Sequence, residues 1–180
     1  MPLPKEQTYT IKDIYSLPEG TRAELIDGVI YMMAPPSRIH QKLIAQFTQI
    51  IANYIDSHRG DCEVYPAPFA VNLNADDKTY VEPDISIICD KSKLDDRGCN
   101  GAPDWIIEIV SPSSRKMDYL TKASRYRDAD VREYWIVDPS KERSTVYFFE
   151  QDDAPAIHSF SEPLEVGIYS DLHITISDLL

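Results

Sequence analysis

The chain has 180 residues, of which 43% are hydrophobic, and a formal net charge of −12 at pH 7. That length and apolar fraction suit one α/β (α+β) domain with a sizeable core and exclude a disordered chain; no apolar run approaches the ~20 residues needed to cross a bilayer. The acidic balance excludes broad binding to phosphate backbones, which needs many Lys and Arg, although residues 113–132 carry six Lys or Arg against three Asp, a strip able to hold a backbone locally.

In chain order, residues 1–7 read as a flexible tail without an apolar signal region. Residues 8–17 predict a short helix, and Leu17-Pro18-Glu19-Gly20 a turn. Ala23 to Ala34 predict a hairpin closed by Asp27-Gly28, the pair that suits a type I′ turn. Glu24 shares a strand face with Ile26 there; on its own it reads as a solvated edge-strand charge. Apolar residues at three- and four-residue intervals predict an amphipathic helix over 37–57, with His40 and Gln41 in its first turn. Residues 62–73 predict a bent or edge strand, because Pro66 and Pro68 cannot donate to a ladder. Strands follow at 81–89 and 104–111, separated by a charged loop over 90–101. A helix over about 113–129, a strand at 133–137 and its hairpin partner at 145–149 come next, then short strands at 158–160 and 173–176. Cys62, Cys89 and Cys99 are odd in number and lack C-x-x-C spacing, which predicts neither a disulfide framework nor a zinc site and fits a reducing cytoplasm.

Chemistry concentrates in two strands. V-E-P-D-I-S-I-I-C and D-W-I-I-E-I-V-S each carry one acid inside an apolar run, Asp84 and Glu108. Alternation puts Asp84 on the face of Ser86 and Ile88, and Glu108 on that of Ile106 and Val110. A carboxylate buried alone neutralises itself or finds a cation, so two on neighbouring strands suggest half of a divalent-metal site.

These residues also carry a resemblance. Pro83-Asp84 and Glu108-Ile109-Val110 resemble the motif of the PD-(D/E)XK nuclease superfamily. The ordered series E-L-I-D-G at 24–28, His40-Gln41, V-E-P-D-I-S, P-D-W-I-I-E-I-V-S-P-S, Asp118-x-x-x-Lys122 and V-R-E-Y-W-I-V-D-P resembles the Uma-two family of restriction endonucleases over residues 8–180. The resemblance implies a restriction endonuclease-like fold, a mixed central sheet flanked by helices in a single domain over 1–180. It implies a Mg²⁺ (or Mn²⁺) ion held by Asp84, Glu108 and the Ile109 carbonyl, with DNA as the substrate and Glu24 as an outer or third carboxylate. The superfamily commonly has lysine two residues after the glutamate, where this chain has Val110. Lys122 is the expected replacement, because helical side chains lean toward the helix N-terminus and one here can reach back to the Glu108 strand; the plainer reading is a wet Asp118–Lys122 pair at i,i+4. His40, Gln41, Asp118 and Tyr126 are candidates to line the site.

Two functions follow: a Mg²⁺-dependent endonuclease cutting DNA, or a catalytically inactive nuclease-fold module serving as a dimeric scaffold or binding protein. The aromatics Tyr134, Trp135, Tyr147, Phe148 and Phe149 exceed what one sheet face needs to bury and predict a homodimer through that surface.

Overall fold

Asp27 and Gly28 take positive φ, 52° and 78°, closing a tight hairpin between β1 (Ala23–Ile26) and β2 (Val29–Met32) in the computed structural model, which describes residues 8–151 and 154–180. The tail expected at 1–7 lies outside the described residues. The short helix α1 (Ile11–Tyr15) precedes the hairpin, and α2 (Arg38–Ser57) follows it, its first turn capped by the Ser37 hydroxyl accepting from the His40 N–H. Next come β3 (Glu63–Pro66), β4 (Val71–Asn72), β5 (Tyr80–Val81), β6 (Ile85–Ile88), β7 (Leu94–Asp95), β8 (Gly98–Asn100) and β9 (Trp105–Ile109). After α3 (Ala123–Asp128) the chain forms β10 (Glu133–Asp138), β11 (Arg143–Phe148), β12 (Ala156–Ser159), β13 (Pro163–Val166) and β14 (Tyr169–Thr175).

The strands make two six-stranded sheets and a hairpin. The central sheet runs β12-β11-β10-β9-β6-β3, with β9 and β10 parallel; the second runs β2-β1-β5-β4-β8-β7. The strand expected at 81–89 is split between them. Pro83 has no N–H for a ladder, and at Glu82-Pro83-Asp84 the chain leaves the second sheet and enters the central one. The loop expected at 90–101 contributes the β7–β8 edge of the second sheet.

Each face of the central sheet is buried separately. On one, Leu43, Phe47 and Ile51 of α2 pack on Ile85, Ile87, Trp105, Ile107 and Trp135, joined by Leu164, Val166 and Ile174 of the β13–β14 hairpin. On the other, Ile88, Ile106, Val110, Tyr134 and Ile136 meet Tyr126 of α3 and Ile26, Val71 and Val81 of the second sheet. The face assignments read from alternation therefore hold on both key strands. The fold is a mixed α+β one, sheets flanked by helices, and no helix among the described residues is long and apolar enough to cross a membrane.

Two expectations are corrected. Cys62 and Cys89 form a disulfide, leaving Cys99 as the free, buried thiol. Their pairing comes from register: Glu63 lies opposite Ile88, so the next residues outward, Cys62 and Cys89, meet. The argument for a reducing compartment from unpaired cysteines thus loses its premise. The β10 half of the aromatic surface proposed for dimerisation is internal: Tyr134, Trp135 and Ile136 are fully buried, whereas Tyr147, Phe148 and Phe149 are half-buried, with Tyr147 and Phe149 stacked over Tyr134.

Candidate active site

The register that sets Ile85 opposite Ile107 places Asp84 opposite Glu108 one residue further along. Asp84 closes the contact in both directions. Its Oδ2 accepts the Ile109 N–H at 2.7 Å, and its own N–H points to Glu108 Oε2 at 3.4 Å. Both acids are buried, at 8% and 4% exposure.

Glu24 joins them from the second sheet. It is only 5% exposed, and β1 is an interior strand, so the solvated-edge reading fails. Its Oε1 accepts the Glu82 N–H at 3.0 Å and the Lys122 ammonium at 2.9 Å. Lys122 also donates to Glu108 Oε1 at 2.8 Å, and the Tyr126 hydroxyl donates to the same oxygen at 2.7 Å. The lysine expected to replace the one missing at position 110 therefore does reach the Glu108 strand, while Val110 packs into the core.

The helix delivering Lys122 departs from the expected one. Met117–Lys122 is π-helical and runs into α3. The Tyr134 hydroxyl donates to the Asp118 carbonyl inside this wide turn, at 3.0 Å. Asp118 and Lys122 are both buried, and the ion-pair partners of Lys122 are Glu24 and Glu108, so the wet i,i+4 pair does not form. Single π-turns of this kind are frequent at functional sites.

Electrostatics follow from burial. Glu108 is pushed well above the ordinary carboxylate range by desolvation, against the opposing pull of Lys122. Asp118 rises to about 6 for the same reason. Desolvation alone would favour a neutral Lys122, but Glu108 and Glu24 hold its proton well above the ordinary lysine value. His40 Nε2 lies 3.1 Å from Asp84 Oδ2, with Nδ1 buried and unpartnered. Burial works against its charged form, yet Asp84 and the Ile109 carbonyl raise it above its ordinary value.

These groups form the floor of a cleft of about 690 Å³. Gln41 is exposed at its side. One wall is the segment from Tyr31 to Pro36, the other the hydroxyl-bearing turn Ser111–Ser114. Sequence reasoning assigned the site neither wall, nor Tyr134 as the anchor of the π-turn; nothing in their local pattern separates them from ordinary loop and core residues. The basic strip at 113–132 is largely self-neutralised. Arg115 pairs with Asp138, Arg125 with Asp27 and Asp128, Arg132 with Asp104 and Glu150, and Lys122 is the buried cation just described.

Among known proteins, a solved structure described as a "putative nuclease belonging to DUF820", from Anabaena variabilis, superposes with a TM-score of 0.77. It covers 94% of this chain and 96% of its own, at 21% identity, and so speaks to the fold. "Uncharacterized protein slr1290" of Synechocystis sp. is 25% identical over 130 residues, 72% of this chain and 67% of that protein. The model of the Uma2 family, described as "Putative restriction endonuclease", matches residues 10–176, and the chain belongs to that family.

Proposed function

We propose that this chain is a Mg²⁺-dependent endonuclease hydrolysing phosphodiester bonds in DNA. The observation that carries the reading is the cross-strand pair Asp84 and Glu108 at the floor of a cleft, with the Lys122 ammonium on Glu108. Glu24, Asp84, Glu108 and Asp118 are all buried beside Lys122, and a further cation would favour the ionised forms of Glu108 and Asp118 that desolvation opposes.

The donor set fits a small hard ion of modest protein coordination. Mg²⁺ takes oxygen ligands and is commonly held by one or two carboxylates while keeping several waters. Glu108 Oε1 and Asp84 Oδ2 already accept protein donors, and no group of three or more His, Cys, Asp or Glu among the described residues is arranged to hold a metal. Asp84 and Glu108, through their remaining oxygens, would hold the ion together with the Ile109 carbonyl. When bound, it supplies a water of lowered pKa and offsets charge growing on the phosphate.

The remaining roles belong to the chain. Glu24 and Glu108 fix the ammonium of Lys122, which has three N–H bonds and gives one to each, leaving the third for a water or phosphate oxygen. Tyr126 holds Glu108 Oε1 in place, and His40 does the same for Asp84.

A second reading, a catalytically inactive nuclease-fold module, draws on Val110 and on the two protein donors that already occupy Glu108 Oε1. Calorimetry separates them. Titration with Mg²⁺ or Mn²⁺ should give a binding isotherm for the wild type and none for Asp84→Ala, and Mn²⁺ with DNA should give product only with the wild type. A wild type that takes up neither ion would sink the nuclease reading. Light scattering at micromolar concentration tests the homodimer that a cut of both strands would use; with Tyr134 and Trp135 buried, such a pair would not be made through them.

A further inference from the structure

We propose that the cleft takes an unpaired stretch of DNA, recognised by stacking of a splayed base on the Tyr31–Met32 wall. The proposal rests on the nuclease reading above and names the form of its substrate. Three observations converge on it.

The first is depth. The carboxylates of the floor are buried, so a phosphate reaching them has to descend between the walls. A single strand can bend into such a recess, whereas each strand of a duplex is held to its partner. The second is charge. Of the cations lining the cleft, Arg22 is paired with Glu82, Lys122 with Glu24 and Glu108, and His40 with Asp84. In a chain of net charge −12 this leaves little to displace the counterions of a duplex. The third is the wall itself. Tyr31 and Met32, 37% and 64% exposed, line the cleft beside Met33, Pro35 and Pro36, and Tyr31 lies opposite Glu24 in the β1–β2 register. Aromatic side chains presented this way hold single strands by base stacking, with little regard for sequence.

The test uses fluorescence anisotropy with a fluorescein-labelled 15-nucleotide single-stranded DNA and the same sequence as a duplex, in Mg²⁺ and in EDTA. The single strand should bind at least about ten-fold more tightly than the duplex. Its affinity should also fall only weakly with salt, unlike that of a protein making many phosphate contacts. Tyr31→Ala should weaken single-strand binding by about ten-fold, in line with the loss of one base–aromatic stack, and Tyr31→Phe should restore it. Met32→Glu, at a position exposed enough to leave the fold alone, should weaken it as well. Equal binding of duplex and single strand, or single-strand binding indifferent to Tyr31→Ala and Met32→Glu, overturns the proposal. The two readings fail separately: cleavage of intact duplex by a Tyr31→Ala protein refutes the stacking wall and keeps the nuclease. Tyr31-dependent binding without cleavage in Mn²⁺ does the reverse.

Discussion

Glu133 and Glu108 sit on neighbouring strands, nearly solvent-free, on opposite faces of the central sheet. Glu133 faces the α2 side. Its Oε1 accepts the Trp135 indole N–H at 2.6 Å, its Oε2 the Ile168 N–H at 3.1 Å, and the Gly167 backbone adds a further donor. Gly167 leaves room there, since a Cβ would come within 2.6 Å of the Phe148 ring and the ring would have to shift. Burial still pushes Glu133 up to about 7, because neutral donors offset desolvation only in part. Glu108 is served differently, by an ammonium and a phenol on one oxygen and by a long contact on the other. One carboxylate is sealed by its own backbone and clasps a hairpin; the other stands at a cleft with an oxygen only loosely engaged. Burial and a raised pKa are common to both, and acceptor capacity left facing open space is what distinguishes a site from a clasp.

The largest test of this contrast is Lys122→Ala. It strands Glu24 and Glu108 without their cation, and breaking a buried pair in this way commonly costs about 3–5 kcal/mol. Urea unfolding at pH 7 should show a loss of that size, with recovery when Glu24→Gln is added. On folded protein at low temperature, cleavage should fall by about 10²- to 10³-fold, as for other lost electrostatic stabilisers. A fully stable, fully active Lys122→Ala would remove the lysine from both roles.

Glu133→Gln should have an intermediate effect and one that depends on pH. Folding raises the pKa of Glu133 from 4.5 to about 7, so the folded chain holds the extra proton between those values. Stability from this group is therefore present at low pH and lost as pH rises through about 7, by up to about 3 kcal/mol. Unfolding midpoints from pH 5 to pH 8 should fall more steeply for the wild type than for Glu133→Gln. Parallel curves would mean that the clasp is charge-neutral throughout. The smallest effect belongs to Tyr126→Phe, which deletes one of the two donors on Glu108 Oε1 and should cost about 1 kcal/mol. Mg²⁺ affinity should change with it if the phenol fixes the carboxylate, and stay constant if the phenol only fills space.

Much of this was legible in the sequence where local pattern and chemistry coincide. Asp84 and Glu108 stand out because acids inside apolar strand runs are rare, and alternation gives their faces directly. Asp27-Gly28 declares its hairpin because its positive φ values suit that pair. What was not legible depends on distant partners. The Cys62–Cys89 disulfide needs the β3–β6 register, and no composition rule supplies it. The basic strip looked free until Asp27, Asp104, Asp138 and Glu150 arrived from elsewhere in the chain. The aromatics of β10 looked excessive for one face because Tyr134 and Trp135 lie on opposite faces, Tyr134 against Tyr126 of α3 and Trp135 against Phe47 of α2. Glu24 read as an edge charge because nothing local reveals that β5 pairs on its far side.

The crossing at Glu82-Pro83-Asp84 has a mechanical consequence. Glu24 belongs to the second sheet and Glu108 to the central one, Glu82 and Asp84 flank the connection between them, and Lys122 is the rivet joining the two sheets. Sliding of one sheet over the other would therefore strain the Glu24–Lys122–Glu108 bridge together with the Glu82-Pro83-Asp84 crossing. A load applied in the cleft would in turn be carried into both sheets at once.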